Sequence, residues 1–409
     1  MAHEFVERNR LWARLGAAVR DTSVPLTPPI CVVDLDAFDA NAADLVRRAA
    51  GKPVRVASKS LRVPALVRRA LATPGFAGVL AYSLAEALWL HEEGVTEDLL
   101  VAYPSVDRTA LRALVTSPSA AAAITVMVDS LAQLDVVDSV RHSKAVPVRV
   151  ALDIDAGLRL GGQHVGPKRS PLYDPGDVVA LAREVLRRPG FRLVGVMTYE
   201  GQVAGVPDEV PHQRARSAVV RRMKRASLAQ LGVRRREIAD ALHTALRDAV
   251  TLELWNAGGS GSVAEAAADP VVTEVSAGSG LLGPALFDHY QSFQPQPAAF
   301  FAVPVTRRPS PEIATVHGGG LVASGAAGAD RLPVPWAPPG LHLTSLEGAG
   351  EVQTPLTGHP AALLRVGDLV WFRHAKSGEL FEHANQVHLL RGSAFEESVA
   401  TYRGLGHVF

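Results

Sequence analysis

The sequence has few features that would tie the protein to an oxidising compartment or to a nucleic acid. Its 409 residues include one cysteine, Cys31, so no disulfide can form within the chain. Cys31 lies in the apolar run ICVVDL, which favours a small core residue over a nucleophile. The 42 basic and 41 acidic side chains nearly balance, and this excludes a general electrostatic attraction to nucleic acid or to anionic lipid.

Long hydrophobic runs are also absent. No run approaches the ~18 apolar residues of a membrane span, and the N-terminal residues MAHEFVERNRLWARLGAAVRD lack the continuous apolar stretch of a signal peptide. A basic segment at 212–249 contains RRMKR and RRR without any Phe, Trp or Tyr between them. We therefore expect a cytoplasmic protein, and we interpret 212–249 as a solvated outer face rather than a nucleic-acid interface.

From residue 54 to about residue 280, short β-branched runs alternate with Ala-, Leu- and Arg-rich segments of helical spacing. This alternation predicts βαβ units and a parallel sheet, and near-continuous apolar strands indicate a sheet covered on both faces. Eight such units favour a closed β/α (TIM-type) barrel, with an open doubly wound sheet as the alternative. The eight runs are VRVASK (54–59), GVLAYS (78–83), DLLVAYP (98–104), AITVMVDS (123–130), VRVALDID (148–155), RLVGVMTYEG (192–201), TLELWNAGGSG (251–261) and TEVSAGSG (273–280).

The end of the chain has a different pattern. From about residue 295 the strand-like pieces are broken by Gly and Pro, and helical periodicity is nearly absent. We expect a helical extension at 1–29, the barrel at 30–294, and at 295–409 an all-β domain built as a β-barrel or β-sandwich. The early run at 30–36 precedes the eight barrel runs and could add a strand to that β domain.

Polar side chains gather where the eight predicted strands end. In a β/α barrel these ends form one face, and active sites lie there. An apolar barrel with such a polar rim is typical of an enzyme. The rim residues are Ser58, Lys59, Tyr82, Ser83, Tyr103, Asp129, Asp153, Asp155, Tyr199, Glu200, Asn256 and the segment 276–280.

Lys59 follows an apolar strand, which is an unusual position for a lysine. Burial there would oppose the charged form of the amine, and a lowered pKa would free the amine to attack a carbonyl, as Schiff-base lysines do. The structural alternative is a lysine that extends to solvent at the strand end or pairs with Asp153. The position alone supports both interpretations.

Two glycine–serine turns follow the seventh and eighth runs, NAGGSGS (256–262) and AGSGLLG (277–283). Glycine lets backbone N–H groups approach an anion closely, and phosphate sites in such barrels often use the loops after strands seven and eight. Either turn alone could be an ordinary strand–helix connection. Together with a lysine at the first strand, the two turns predict pyridoxal phosphate, with Lys59 carrying the cofactor as an internal aldimine.

Several short motifs, in their order along the chain, resemble one enzyme family. They run from Pro28 to Gly392 and comprise TPPICVVDLDAFDAN, RVASKS, LDIDAGLRLGG, GVMTYEG, NAGGSGS, TEVSAGSG and FRHAKSGEL. The sequence resembles the alanine-racemase-type (fold type III) pyridoxal-phosphate enzymes, and within them the D-threonine aldolase and D-serine dehydratase branch. It is most similar to the bacterial proteins called amino acid deaminase/aldolase. The resemblance implies a small amino acid as substrate and a homodimer.

The resemblance also implies roles for individual residues. Lys59 matches the Schiff-base lysine, Arg159 the arginine near the cofactor's phenolic oxygen, and Tyr199 a tyrosine beside the ring. The ring nitrogen would lie near Ser276 or Glu274. The residues that match the phosphate cradle are Gly259, Ser260, Gly261, Gly278 and Ser279.

One stretch departs from the family pattern. This branch binds a divalent metal through His-x-Asp or His-x-Cys, whereas the matching residues here are His374 and Lys376. A protonated lysine repels a metal ion, so we favour no metal and interpret the Lys376 ammonium as its replacement beside the substrate hydroxyl. Glu379 or His383 could still complete a divalent-metal site. His374 is either the base for that hydroxyl or a hydrogen-bonded structural histidine.

Three functions follow from the resemblance. The first is a lyase for small β-hydroxy amino acids, which either releases glycine and an aldehyde or loses the hydroxyl group to yield a keto acid and ammonia. The second is an amino-acid racemase or decarboxylase, although a racemase needs a second base and 295–409 contains only one tyrosine, Tyr402. The third is a non-catalytic cofactor carrier, against which the large β domain argues. We favour the lyase, with Lys59, His374 and Lys376 as its catalytic residues.

Overall fold

The computed structural model describes residues 2–142, 145–247 and 251–409. In these ranges the α-helices are α1 (Ala2–Asp21), α2 (Leu35–Arg48), α3 (Pro64–Leu71), α4 (Leu84–Glu92), α5 (Arg108–Thr116), α6 (Pro118–Ala123), α7 (Leu131–Asp138), α8 (Pro175–Arg187), α9 (Gly201–Ala204), α10 (Arg214–Leu246), α11 (Val263–Ala267) and α12 (Ser279–Leu282). None of these helices is both long and apolar enough to cross a membrane.

The strands of the same ranges are β1 (Ile30–Asp34), β2 (Val54–Ala57), β3 (Phe76–Ala81), β4 (Leu99–Val101), β5 (Ile124–Val128), β6 (Val148–Asp153), β7 (Leu158–Leu160), β8 (Gln163–Val165), β9 (Phe191–Thr198), β10 (Leu254–Ala257), β11 (Glu274–Ala277), β12 (Ala299–Ser310), β13 (Ile313–His317), β14 (Val334–Ala337), β15 (His342–Leu343), β16 (Gln353–Thr357), β17 (Leu369–Arg373), β18 (Gln386–Arg391) and β19 (Ala394–Ala400).

Eight parallel strands of the described chain close into a barrel, which confirms the β/α (TIM-type) fold. Their order is β2, β3, β4, β5, β6, β9, β10 and β11, and β11 pairs back onto β2. The strands are almost wholly buried because helices cover them outside and their own side chains fill the interior. An inner cluster of this kind comprises Leu100, Met127, Ala151, Met197 and Leu254.

The barrel strands are shorter than the sequence runs predict. β2 ends at Ala57, and Ser58–Ser60 form a 3₁₀ turn, so Lys59 lies just beyond the strand rather than in it. In addition, β7 and β8 form an antiparallel hairpin after β6, which the eight-run pattern does not include. Arg159 lies in this hairpin, and Arg169 lies in the loop that follows it.

Helix α10 corrects the expectation of a solvated basic face at 212–249. Three of its basic side chains are buried. Lys224 Nζ donates to Asp208 at 3.1 Å, and Arg235 Nη2 pairs with Glu200 at 2.9 Å. Arg234 Nη2 donates to a backbone carbonyl at 2.6 Å. These partners offset part of the free-energy cost of burying the charges. Because the partners lie outside the helix, this part of α10 is attached to the barrel. Residues 248 and 249 of the predicted segment lie outside the described residues.

The β domain comprises β1 together with residues 295–409. Its described strands form a nine-stranded sheet in which β15, β16, β13, β12, β1, β18 and β19 follow one another, while β17 joins β12 to β14. β1 pairs antiparallel with β12 and parallel with β18, so the run at 30–36 supplies a central strand of this sheet. The chain thus crosses from the β domain into the barrel and back again.

Arg373 connects the two parts of the molecule. It lies at the end of β17 with a side chain that is 1% exposed, and its two terminal nitrogens donate to the Asp288 carboxylate at 2.7 and 2.8 Å. Its Nε donates to the Gly283 carbonyl oxygen at 2.9 Å. Asp288 and Gly283 follow the last barrel strand, so this fork of hydrogen bonds fixes the β domain against the barrel mouth.

Replacing this guanidinium should loosen the contact. We expect Arg373→Gln to lower the free energy of unfolding by about 1–3 kcal/mol, because it removes charge-assisted hydrogen bonds and leaves their acceptors without a donor. Urea unfolding measures this. Arg307→Gln, an exposed arginine of the same domain, is the control and should change stability by less than about 0.5 kcal/mol. Equal stability of the two variants would contradict the role of Arg373.

Candidate active site

The barrel and the β domain enclose a cavity of about 340 Å³ at the carboxyl ends of the barrel strands. This volume lies in the roughly 300–1,000 Å³ range of ligand and cofactor pockets. The β domain contributes Arg331, Lys376 and Ser377 to the lining, and the barrel contributes the rest. The residues that the resemblance gave a catalytic or cofactor-binding role and that line the cavity are Lys59, Tyr199, Gly259, Ser260, Ser276, Gly278, Ser279 and Lys376; the rim residues Tyr82, Tyr103, Asp153, Asp155 and Asn256 line it as well.

Lys59 reaches the cavity from the 3₁₀ turn that follows β2. Its Nζ donates to the Tyr103 hydroxyl at 3.3 Å, not to Asp153 as one alternative held. The expected burial is wrong, because the Lys59 side chain is exposed to the cavity. Its backbone is nevertheless tightly packed, since a Cβ added at Gly378 would lie 2.2 Å from the Lys59 carbonyl oxygen. The lysine therefore stands on a fixed turn, and its side chain reaches the cavity with a hydrogen bond to Tyr103.

The two glycine turns meet at one hydroxyl. Ser260 Oγ accepts hydrogen bonds from the backbone N–H of Gly280 at 2.9 Å and of Gly278 at 3.2 Å. A Cβ added at Gly278 would lie 2.4 Å from the carbonyl oxygen of Ala57, so only glycine lets the second turn pack against the end of β2. As a result, both turns lie beside the one that carries Lys59.

A buried carboxylate holds the first glycine turn in place. Glu200 accepts a hydrogen bond from the Ser262 hydroxyl at 2.7 Å, and its other oxygen pairs with Arg235 of α10. Gly261 packs behind the cavity wall, where an added Cβ would meet the Ala204 carbonyl oxygen at 2.5 Å. Gly261 therefore shapes the turn and, unlike its predicted role, does not line the cavity.

Asn256 and Ser276 form part of the cavity floor. The Asn256 amide donates to Ser276 Oγ and to Glu274 Oε1, both at 2.8 Å. The Glu274 carboxylate is held by two nitrogens of Arg55 at 2.8 and 2.7 Å, in the barrel interior. Of the two candidates for contact with the cofactor nitrogen, Ser276 faces the cavity, while Glu274 lies beneath it in an ion pair.

Arg159 lies outside the cavity, and Arg169 lies within it. Arg159 stacks on Tyr173, with its guanidinium carbon 3.5 Å from the ring centroid, and it lines a second, more open pocket. The β7–β8 hairpin carries it away from the barrel mouth. Arg169 follows the hairpin, lines the cavity and lies 6.0 Å from the centroid of the Tyr199 ring. Arg159, which was expected beside the ligand, therefore does not line the cavity, whereas Arg169 does.

His374 does not have the surroundings of a catalytic base. It is 3% exposed, and its ring nitrogens lie 3.3 Å from the Ala299 carbonyl oxygen and 3.5 Å from Ser377 Oγ. Burial, together with the charge of Arg373, lowers its pKa to about 3. The imidazole is therefore neutral and lies behind the cavity wall. These contacts match the structural alternative for His374.

Both His374 and Lys376 were expected at the ligand, and of these two residues Lys376 lines the cavity. Its Nζ donates to Ser324 Oγ at 3.0 Å, and the side chain is half-buried. Burial lowers the pKa of Lys376, and the charges of Arg331 and Lys59 act in the same direction, while Glu379 opposes them. The cavity thus holds a second amine near Lys59.

Metal ligands are scarce around this amine. Among the described residues, no group of three or more His, Cys, Asp and Glu side chains is arranged to hold a metal ion. Glu379 Oε2 accepts a hydrogen bond from the Ser324 backbone at 2.8 Å, and His383 is exposed to solvent.

Two groups of the lining, the Asp153 carboxyl and the Tyr199 hydroxyl, keep their protons to a higher pH than usual. Burial raises the pKa of Asp153 to about 7, and the neighbouring Asp129 and Asp155 add to the rise, while Arg169 opposes it. Burial also raises the pKa of the Tyr199 hydroxyl to about 12, with a contribution from Glu200. Asp153 can therefore exchange a proton near neutral pH, whereas Tyr199 stays neutral.

Among the lining residues that sequence reasoning missed are Arg169, Arg331 and Ser377. Arg169 lies in the loop after an unexpected hairpin, and Arg331 ends a short 3₁₀ helix, Ala329–Arg331, in a loop of the β domain. Ser377 stands next to Lys376 in the FRHAKSGEL motif, which was the available signal. The two arginines belong to no motif.

Comparison with known proteins agrees with this architecture. The family model described as "Alanine racemase, N-terminal domain" matches residues 33–285, more than half of the chain. No curated protein sequence matches.

Solved structures with the same fold cover nearly the whole chain. The D-threonine aldolase from Filomicrobium marinum is 23% identical with a TM-score of 0.77, covering 94% of this chain and 96% of its own. The D-threo-3-hydroxyaspartate dehydratase from Delftia sp. HT23 is 20% identical with a TM-score of 0.66, covering 92% and 97%. An alanine racemase from Clostridium difficile 630 is 15% identical with a TM-score of 0.62, covering 92% and 99%.

The raised pKa of Asp153 has a consequence for stability. The folded protein holds this proton up to about pH 7, whereas the unfolded chain loses it near pH 4. The unfolded state therefore binds fewer protons between these values, and the free energy of unfolding should fall as the pH rises through this window.

We expect the free energy of unfolding of Asp153→Asn to decrease less steeply as the pH rises from about 4 to about 7. Urea unfolding at a series of pH values measures this. Asp240→Asn, which changes an exposed carboxylate of α10, should keep the slope of the unsubstituted protein. A steeper fall in Asp153→Asn would show that the carboxyl is ionised in the folded state.

Proposed function

Because the chain belongs to the alanine racemase N-terminal domain family, we propose that it is a pyridoxal-phosphate-dependent lyase that acts on small β-hydroxy amino acids. The observation that carries this proposal is the position of Lys59, whose amine is free in a cavity bordered by two glycine turns. A homodimer and a cytoplasmic location belong to the same proposal. The homodimer rests on the resemblance to relatives, and the location rests on a sequence with one cysteine and without an apolar run of membrane-spanning length.

The lining fits the cofactor. Lys59 would hold it covalently, and Tyr199 would lie beside its ring. Ser276, fixed by Asn256, would face the ring nitrogen, and Arg169 would take the phenolic oxygen in place of Arg159. The cradle for the phosphate would consist of Gly259, Ser260, Gly278 and Ser279, with Gly261 shaping the first turn from behind.

Pyridoxal phosphate supplies an electron sink for the bonds broken at the substrate Cα. In aldol cleavage, the proton of the β-hydroxyl would pass to a base of the lining such as the Asp153 carboxylate, the Cα–Cβ bond breaks to release an aldehyde, and Cα takes up a proton so that glycine is released. In dehydration, the Cα proton leaves and then the hydroxide leaves, so that hydrolysis of the resulting enamine gives a keto acid and ammonia. Lys59 is the residue proposed to move the Cα proton, because its amine lies in the cavity.

Lys376 is the residue proposed to act on the substrate hydroxyl. Its ammonium can donate a hydrogen bond to an oxygen that gains negative charge, which is the task a metal performs in relatives that bind one. His374 is not part of this proposal, because it is buried behind the wall and its pKa is about 3.

The racemase alternative lacks the tyrosine that the β domain would supply as its second base. Tyr402 is 1% exposed and donates to the Glu86 carboxyl at 2.8 Å, outside the cavity lining. A non-catalytic carrier would not require the cations that the β domain adds to the cavity. The cavity therefore supports the lyase better than either alternative.

Lys59 can be tested directly. We expect the purified protein to absorb visible light as pyridoxal-phosphate enzymes do, and we expect Lys59→Ala to lose that band together with turnover. Lys52→Ala, which removes a lysine that binds the Asp269 carbonyl oxygen outside the cavity, should keep both. The assay uses D- and L-threonine, serine and their β-substituted analogues, scored for aldehyde and keto acid. A band that survives in Lys59→Ala would place the cofactor elsewhere.

The role of Lys376 predicts that metal removal has little effect. Dialysis against a chelator should leave turnover unchanged, whereas Lys376→Met should lower kcat by about 10²-fold, as loss of one charge-stabilising donor does. Lys168→Met serves as the control, since that lysine lines the second pocket instead. Stoichiometric zinc or manganese that is needed for turnover would refute the replacement of the metal by Lys376.

A further inference from the structure

We propose that Arg331 of the β domain binds a carboxylate of the amino-acid substrate. The inference rests on the proposed function and assigns the group that recognises its substrate. The observation behind it is that two buried nitrogens of the Arg331 guanidinium have no hydrogen-bond acceptor among the described residues.

The backbone of Arg331 is firmly held. Its N–H donates to the Gly328 carbonyl oxygen at 3.0 Å, and its own carbonyl oxygen accepts from the Ala323 N–H at 2.8 Å. The side chain is 18% exposed and lines the cavity. A fixed backbone directs the guanidinium to one place and reduces the entropy lost when a ligand binds.

Two of the three guanidinium nitrogens of Arg331 are buried without a hydrogen-bond acceptor in the described part of the chain, and the third is near one carboxylate. Nη2 lies 3.7 Å from the carboxylate of Asp330, whose side chain is 46% exposed. Nε and Nη1 are buried and have no hydrogen-bond partner among the described residues. Buried donors in proteins are almost always paired, and a charged donor without an acceptor costs more free energy than a neutral one. Nε and Nη1 of Arg331 can therefore donate to an acceptor from outside the chain.

The surroundings indicate that this acceptor is an anion. Lys376 and Lys59 line the same cavity, and Arg331 is close enough to Lys376 to repel its charge. An arginine stays protonated at any pH at which the protein is folded. Arg169 lines the cavity as well, and these four cations are stabilised when a negatively charged ligand lies between them.

A substrate carboxylate fits this place better than the cofactor phosphate does. The proposed phosphate cradle is backbone and hydroxyl groups of the barrel, in the turns after β10 and β11. Arg331 comes instead from the β domain, together with Lys376, which is the residue proposed to contact the substrate hydroxyl. The carboxylate is either the α-carboxylate of any amino acid or the side-chain carboxylate of an acidic one.

The test compares acids with their amides. Each ligand is titrated into the protein, and binding is followed by the change in the visible absorption of the bound cofactor, so no turnover is required. One pair is threonine and threonine amide, which differ at the α-carboxylate. The other pair is 3-hydroxyaspartate and 3-hydroxyasparagine, which differ at the side-chain carboxylate. The unsubstituted protein should prefer the acid in at least one pair by about 10- to 100-fold, as expected for charge-assisted hydrogen bonds.

We expect Arg331→Gln to lose the preference in one pair, and Arg331→Lys to keep part of it. The pair affected identifies the carboxylate. Arg307→Gln, the exposed arginine of the same domain, should keep the preference in full.

An unchanged preference in both pairs would overturn the inference. So would loss of the visible absorption in Arg331→Gln, because that would assign Arg331 to the cofactor. Absence of visible absorption in the unsubstituted protein would instead contradict the proposed function itself, and the inference with it.

Discussion

The site depends on the pairing of the last barrel strand with the first. β11 and β2 are neighbours only because the barrel closes, with Ala277 opposite Val56. Closure brings the turn after β11 against the turn that carries Lys59, and the contact is close enough that Gly278 tolerates no side chain. Two segments more than 200 residues apart in the chain thus form one wall of the cavity.

Around this wall, buried hydrogen bonds and ion pairs hold the turns and the β domain in place. Ser260 joins the two glycine turns, and Glu200 joins the first turn to α10 through Arg235. Arg373 fixes the β domain over the barrel mouth. Lys376 and Arg331 are placed by that domain, so its docking determines which cations meet a ligand. In the proposed function, the barrel would therefore supply the groups for the cofactor, and the β domain would supply the groups for the substrate.

The sequence predicts the barrel well because apolar runs and turn glycines are local signals. Lys59 and the two glycine turns follow from the same rule, since strand ends share one face of a barrel. Three positions could not be obtained in this way. The β7–β8 hairpin moves Arg159 out of the cavity and Arg169 into it, the packing around Ala299 buries His374, and Arg331 reaches the site from a loop without a motif. The burial of His374 and the reach of Arg331 depend on tertiary contacts that no local pattern encodes. The hairpin has a local signal, the turn Gly161–Gly162, which the eight-run pattern left unused.

The central claim is that Lys59 is the residue that carries the cofactor. Reduction of the purified protein with borohydride, followed by proteolysis and mass spectrometry, tests it most directly, because reduction makes the attachment of pyridoxal phosphate to its lysine permanent. The account predicts a phosphopyridoxyl group on the peptide that contains Lys59. The same group on Lys376 or on any other lysine, or its absence from every lysine peptide, would contradict the account.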